Sequence, residues 1–366
     1  MRSFRRFRVP GLLLMLGGLS ASVLAAEKPR THRQMEEATR LQIFLDNADF
    51  GPGKIDGRGG EFTQKAAALY RQSKGLDAAP ATAPKTNPKA AINTAGLDLA
   101  SVNPVFIPYT VSKDDAANVG NLPSGPEAES KVKRLPYKNL AEGIAEKFHC
   151  SVQFLKELNP GKMDKLKEGD SITAPNVKPF ELTGVKGIQP GSDAAAVIAN
   201  DLGEEADATD AKDPSAAESS ATRQPAPGEN LPPVSLNVSV KENILTVHAG
   251  EKVIAAFPVT VGSQETVSPI GHWIVRAIAK WPNFRYDLKM LKEGERSSHF
   301  HLLPPGPNNP VGVIWIALNK KGIGIHGTND PESIGRNASH GCIRLANWDI
   351  VKLAGLVKKG TQVTVE

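Results

Sequence analysis

Apolar residues change their spacing along this chain, and each spacing predicts a different element. Leu41, Phe44 and Leu45 fall on one face of a helix, and Phe62, Ala66 and Tyr70 recur at i, i+4 and i+8 on a second. Between them runs Asn47-Ala-Asp-Phe-Gly-Pro-Gly-Lys-Ile-Asp-Gly57, dense in turn formers. Helical spacing returns with Leu140, Ile144 and Phe148, and again with Val152, Leu155 and Leu158, until Asn159-Pro160-Gly161 stops it. Leu166 to Pro175 reads as a turn and a closing strand; either Tyr109-Thr-Val111 or Leu135-Pro-Tyr-Lys138 supplies the opening one. From Pro233 the period becomes two. Leu236, Val238 and Val240 alternate, and Ile244–Val247, Val253–Val261, Val313–Leu318 and Thr361–Val365 read as further strands. Ile323-Gly-Ile325 leads as a strand into His326, and Ile350, Leu353 and Val357 mark one helix over 347–358.

Composition divides these patterns into units. Residues 78–104 are rich in Ala, Pro, Thr and Asn without a period and predict a linker. A second linker is expected over 178–232, where Asp193 to Glu229 holds nine acids, two bases and no aromatic residue. That leaves a helical unit at 30–77, a β-α-α-β unit at 105–177 and a mainly-β unit at 233–366, the last large enough for its own core. Met1 to Ala26 has a basic start, a short apolar run and small residues at its end, as a secretory signal peptide does, with cleavage expected after Ala25 or Ala26. The run is short for a membrane span and broken by Pro10, Gly11, Gly17 and Gly18. The formal charge of +5 falls to +1 once the four arginines of residues 1–26 are set aside, so charge gives no case for nucleic-acid binding.

The candidate chemistry lies near the end. Gly324-Ile-His326-Gly-Thr is followed, after ten residues, by Ser339-His340-Gly341-Cys342-Ile-Arg344. A thiol attacks as thiolate, so a cysteine with one histidine two residues before it and another sixteen before it suits a nucleophile with a base. Gly341 lets the backbone approach a substrate. The other cysteine, Cys150, reads as a small buried apolar residue, since pairing it with Cys342 would remove the nucleophile. His299 and His301 share a strand face but lack the further ligands a metal needs. His272 reads as a strand residue and His149 as a helix-surface residue.

The pattern H-G-T-x10-S-H-G-C-x-R resembles the active-site signature of the L,D-transpeptidase (YkuD-type) family, supported by Val261-Gly262, Ser268-Pro269-Ile270-Gly271 and Pro304-Pro-Gly-Pro-Asn-Asn-Pro310. The Phe50–Gly57 stretch between two helices resembles the peptidoglycan-binding repeat, and Leu140 to Pro175 resembles a lysin-motif (LysM) domain. These resemblances imply a YkuD-type β-sandwich behind two small modules, in an exported protein of the periplasm or cell wall. They imply Cys342 as nucleophile, His326 as base oriented by the Gly327 carbonyl, and His340, Gly341 and the Cys342 N–H around the oxyanion. Ser339 fills the usual Ser/Thr place, and Arg344 stands where its fork could grip a substrate carboxylate or pair structurally with an acid. Peptidoglycan stem peptides and glycan strands are the implied partners, with a lysine of a wall-anchored protein as another acceptor, and no metal or organic cofactor is required. An L,D-carboxypeptidase on the same scaffold and a non-catalytic wall-binding protein are the other readings. The units before residue 190 are expected to localise, leaving 233–366 to act alone.

Overall fold

The computed structural model describes residues 30–77, 91–185, 233–262, 270–320, 322–336 and 341–366. Helix α1 (His32–Asn47) begins in a capping box made by Thr31 and Gln34 and buries Leu41, Phe44 and Leu45. Helix α2 (Glu61–Ser73) packs back on it, where Tyr70 meets Phe44 and Phe50 edge to face at centroid distances of 5.1 and 5.4 Å. In the second unit β1 (Phe106–Thr110) pairs antiparallel with β2 (Ser171–Pro175). Two short helices, α3 (Lys113–Ala117) and α4 (Pro126–Glu129), lie in the insertion before α5 (Leu140–Lys147) and α6 (Val152–Leu158). The opening strand is therefore the one around Tyr109, not Leu135–Lys138.

The third unit is built on one sheet. Its strands are β3 (Val234–Ser239), β4 (Ile244–Ala249), β5 (Lys252–Pro258), β6 (Gly271–Lys280), β9 (Ile314–Leu318), β10 (Gly324–His326), β11 (Ile343–Arg344) and β12 (Gln362–Val365). The order across the sheet is β11-β10-β9-β6-β12-β3-β4-β5. A separate hairpin, β7 (Phe284–Tyr286) and β8 (His301–Leu303), brackets the short helix α7 (Leu288–Glu293), and α8 (Asn347–Leu356) follows β11. Thr260, just past β5, exchanges two backbone hydrogen bonds of 2.9 Å with Arg344 in β11. The sheet thus curls until its two ends touch. The sandwich expected from the sequence is one folded-over sheet, because the strand twist accumulated over eight strands brings its ends together.

The units do not hang apart on linkers. One apolar core runs through α1, α2, β2, α5 and α6 and takes in Ile244, Val253 and Ala256 of the sheet. Phe50 pairs with Ala256 on β5, and Ile55 pairs with Cys150. The expected linker at 78–104 is corrected at its end: Val102 is buried, and Ile92, Leu97 and Leu99 pack on this core. The acidic linker at 178–232 is corrected at its start: Phe180 and Val185 enter the core of the third unit. Isolated apolar side chains there are outnumbered by the small and polar residues around them.

His149 also departs from expectation. It is 2 % exposed, with Nδ1 3.0 Å from Asp46 and its ring stacked on Trp348 at 5.3 Å. Lys352 of α8 reaches the same Asp46 carboxylate at 3.0 Å. Burial alone would raise the Asp46 pKa, but His149 and Lys352 outweigh it and hold the carboxyl well below its ordinary range. An ion-paired polar cluster thus joins all three units. Among the described residues, no helix is long and apolar enough to cross a membrane; the expected signal segment lies outside them.

Candidate active site

Three neighbouring strands assemble the site. Pairing sets Trp315 on β9 opposite His326 on β10, and His326 opposite Arg344 on β11. Residues in register share a face, and Cys342 precedes Arg344 by two, so Trp315, His326, Cys342 and Arg344 rise from the same face. Ile316, Ile325 and Ile343 alternate with them into the core. A cavity of about 240 Å³ lies over that face, closed on its far side by Phe284, Tyr286, Met290 and Leu291 from the hairpin.

His326 is 4 % exposed, and its Nδ1 lies 2.6 Å from the Gly327 carbonyl. A carbonyl only accepts, so Nδ1 carries the proton and Nε2 keeps the lone pair. Burial, aided by the Arg344 charge and opposed by the Gly327 carbonyl, pushes the imidazole down to about 3. It is neutral at physiological pH. Trp315 stacks on it with centroids 5.1 Å apart and planes within 10°. Gly324 makes this possible, since a Cβ there would lie 2.6 Å from the indole.

The turn that carries the Gly327 carbonyl is held from behind by Asn347, the first residue of α8. Its Oδ1 accepts the Val313 N–H at 3.1 Å, and its Nδ2 donates to Glu146 of α5 at 2.7 Å. A Cβ on Gly327 would come within 2.2 Å of that Oδ1.

Cys342 keeps part of its surface open to the cavity, and its thiol donates to the Gly322 carbonyl at 3.5 Å. Burial pushes the thiol above 9.0, opposed by a backbone contact at Gly324 and by the Arg344 charge. The resting pair is therefore a neutral thiol and a neutral imidazole, and attack requires the proton to leave sulfur as the new bond forms. Gly341 has φ 104°, a conformation that a side chain would strain. Arg344 is half-buried, and burial depresses its pKa, opposed by Cys342 and Asp330. Ser339 and His340 lie outside the described residues.

The remaining candidates are elsewhere. Cys150 is buried in the core shared by the first two units, where burial pushes its thiol up, and the two cysteines are not joined by a disulfide. His272 lies on β6 and bonds Thr364 at 3.1 Å. His301 is on β8 and His299 is exposed; among the described residues no three His, Cys, Asp or Glu converge as a metal site.

The model of the L,D-transpeptidase catalytic domain (YkuD) matches residues 233–365. YkuD of Bacillus subtilis is 33% identical over 133 residues, covering 36% of this chain and 66% of its own length. YqjB of Bacillus subtilis is 34% identical over 133 residues, covering 35% of this chain and 68% of its own. The chain belongs to the L,D-transpeptidase family. Its likeness to YkuD thus spans slightly under two thirds of that relative. An L,D-transpeptidase from Mycobacterium smegmatis overlaps 36% of this chain and 58% of its own at 20% identity and a TM-score of 0.30, too partial to argue from.

Sequence reasoning missed three parts of this L,D-transpeptidase site. Trp315 reads as one more apolar strand residue, and only its size in an aliphatic run distinguishes it. Asn347 reads as a helix start. The hairpin over the cavity has strands of three residues each, below the length at which period two is visible.

Proposed function

We propose that this protein is an exported, cysteine-dependent L,D-transpeptidase that acts on peptidoglycan stem peptides. The observation that carries the reading is the pairing of a neutral His326, fixed through Nδ1 on the Gly327 carbonyl, with the Cys342 thiol on one face of one cavity. Cys342 Sγ attacks the carbonyl that joins the L-centre of a diamino acid to the terminal D-alanine. The thiol proton passes to His326 Nε2 as the S–C bond forms. The C–N bond then breaks, the proton goes to the departing D-alanine amine, and a thioester remains. An acceptor amine attacks the thioester, gives its proton to His326, and the thiol is restored as the crosslink forms. The acceptor is another stem peptide or a lysine of a wall-anchored protein; water in its place gives trimming. Gly341, the Cys342 N–H and His340 are assigned to the oxyanion, with Ser339 beside them.

The first two units are read as peptidoglycan-binding-like and LysM-like, on the Phe50–Gly57 turn and the β-α-α-β order. Residues 1–26 direct the chain to the periplasm or cell wall. The test is mass spectrometry of muropeptides incubated with the full chain. Crosslinked dimers and released D-alanine are expected from the parent protein, with neither product nor carbapenem labelling from Cys342→Ala. His326→Ala should slow both steps by about 100-fold or more, as loss of a general base does. Crosslinking by Cys342→Ala would refute the thiol mechanism, and D-alanine release without dimers would make the enzyme a carboxypeptidase.

A further inference from the structure

The far side of the cavity carries a guanidinium that the proposed reaction has not used. Arg285 sits in the middle of β7 and lines the same cavity as Cys342 and His326. Its guanidinium lies flat on the Phe300 ring, 3.4 Å from the centroid. Nη2 donates to the Ser297 carbonyl at 2.6 Å and lies 3.4 Å from Asp287 Oδ2. Its Nε is buried and has no hydrogen-bond partner. A buried N–H with nothing to donate to is costly, and such groups in a native site call for an explanation.

Asp287 does not supply it. That carboxylate is fully buried and already accepts the Ser297 N–H at 2.8 Å, the Ser297 hydroxyl at 3.0 Å and the Met290 N–H at 3.2 Å. A second guanidinium, Arg296, has its pKa depressed by burial and then by the nearby Arg285 charge, opposed by Asp287, and it too has a buried Nη2 without a partner. The hairpin thus presents two guanidinium groups against one carboxylate that is fully engaged. Across the cavity, Arg344 rises beside Cys342. An anion placed at the thiol therefore enters an apolar pocket with positive charge on both walls, and its interaction is strengthened where water is excluded.

We propose that Arg285 is a specificity-determining residue that holds a substrate carboxylate beside Cys342. Resting on the stem-peptide reading above, that carboxylate is the free terminus of the D-alanine leaving group, one residue beyond the attacked carbonyl. The cavity would then select peptides that end at that residue and reject those whose carboxylate is masked. The planar fork of Arg285, already fixed by Phe300 and Ser297, suits a carboxylate better than a point charge does.

Two measurements on the full chain test this. The first compares inactivation of Cys342 by iodoacetate with inactivation by iodoacetamide, reagents of similar size that differ in charge. In Arg285→Gln the iodoacetate-to-iodoacetamide rate ratio should fall by about tenfold, the worth of one charge-assisted contact. In Arg285→Lys it should be largely kept. The second compares turnover of a stem tetrapeptide as free acid and as terminal amide. The acid should be preferred by the parent protein, and that preference should fall by about tenfold in both variants, because lysine keeps the charge but not the fork. Damage to the hairpin alone would change the two reagents' rates equally and leave their ratio unmoved, which would overturn the proposal. An acid-to-amide preference unchanged by Arg285→Gln would overturn it as well. If the parent protein turned over neither peptide while the reagent ratio still fell in Arg285→Gln, the anion site would be supported and the stem-peptide reading would fail on its own.

Discussion

Glu146 offers a test of how the second unit is fixed to the catalytic domain. It is 7 % exposed, accepts the Asn347 amide at 2.7 Å, and has Tyr137 as its other partner. Burial raises its pKa from 4.5 to about 7; hydrogen bonds from Tyr137 and Asn347 oppose the rise, and the Glu142 charge adds to it. The folded protein therefore holds this proton more tightly than the unfolded chain does. That contribution to stability is complete below about pH 4 and is lost as the pH rises through about 7. A rise of that size is worth about 3 kcal/mol at roughly 1.4 kcal/mol per pH unit. Glu146→Gln keeps an acceptor for Asn347 and cannot ionise. It should match the parent protein at pH 4.5 and exceed its unfolding free energy by up to about 3 kcal/mol at pH 8. Urea denaturation followed by tryptophan fluorescence across that range measures the difference. Asp349, whose pKa burial raises to about 8, gives both proteins a slope of the same sign, which cancels in the comparison. A difference that stays constant from pH 4.5 to 8 would refute the reasoning.

Two further predictions concern the same scaffold. Gly324→Ala should displace the Trp315 indole from His326 and slow carbapenem acylation by about tenfold or more, while circular dichroism still reports a folded sheet; an unchanged acylation rate would show that the stack does not position the imidazole. Residues 233–366 expressed alone should lose several kcal/mol of stability, because Lys352 and Asn347 would lose their partners Asp46 and Glu146; a thermal midpoint equal to that of the full chain would contradict this.

The catalytic domain was readable in the sequence because two strong signals coincide there. Alternation marks most of its strands, and H-G-T-x10-S-H-G-C-x-R places both candidate residues near strand ends. The family resemblance implies that the Gly327 carbonyl orients His326, and the two groups lie 2.6 Å apart. Strand β6 was harder: Gly271 to Lys280 mixes buried and exposed residues without clean alternation. The joining of the units was invisible for a different reason. Asp46, His149, Glu146 and Asn347 are residues that any composition argument sends to the surface, and they are buried because Asp46 meets His149 and the half-buried Lys352, and Glu146 meets Asn347. A reading that treats each unit alone has no means of supplying the partner. The same blindness applies to Arg285, whose setting depends on Phe300, fifteen residues away on the other side of α7.

The pairing of Phe50 with Ala256 carries a consequence for the protein's solubility. A curled sheet whose ends touch at one residue pair still presents a stretch of strand edge, and here it is β5, along which another chain could dock. The turn at Asp49–Gly51 lies on that edge: Gly51 donates to the Ala256 carbonyl at 2.7 Å, and Ala256 donates to the Asp49 carbonyl at 2.9 Å. The chain thus answers its own open hydrogen bonds with a segment some two hundred residues earlier, and a Pro-Gly sequence directly after it prevents the added strand from growing. The turn-forming residues that look like a ligand-binding signature in the sequence therefore also serve as a stopper against self-association, and that use would keep them in place whether or not they touch a glycan.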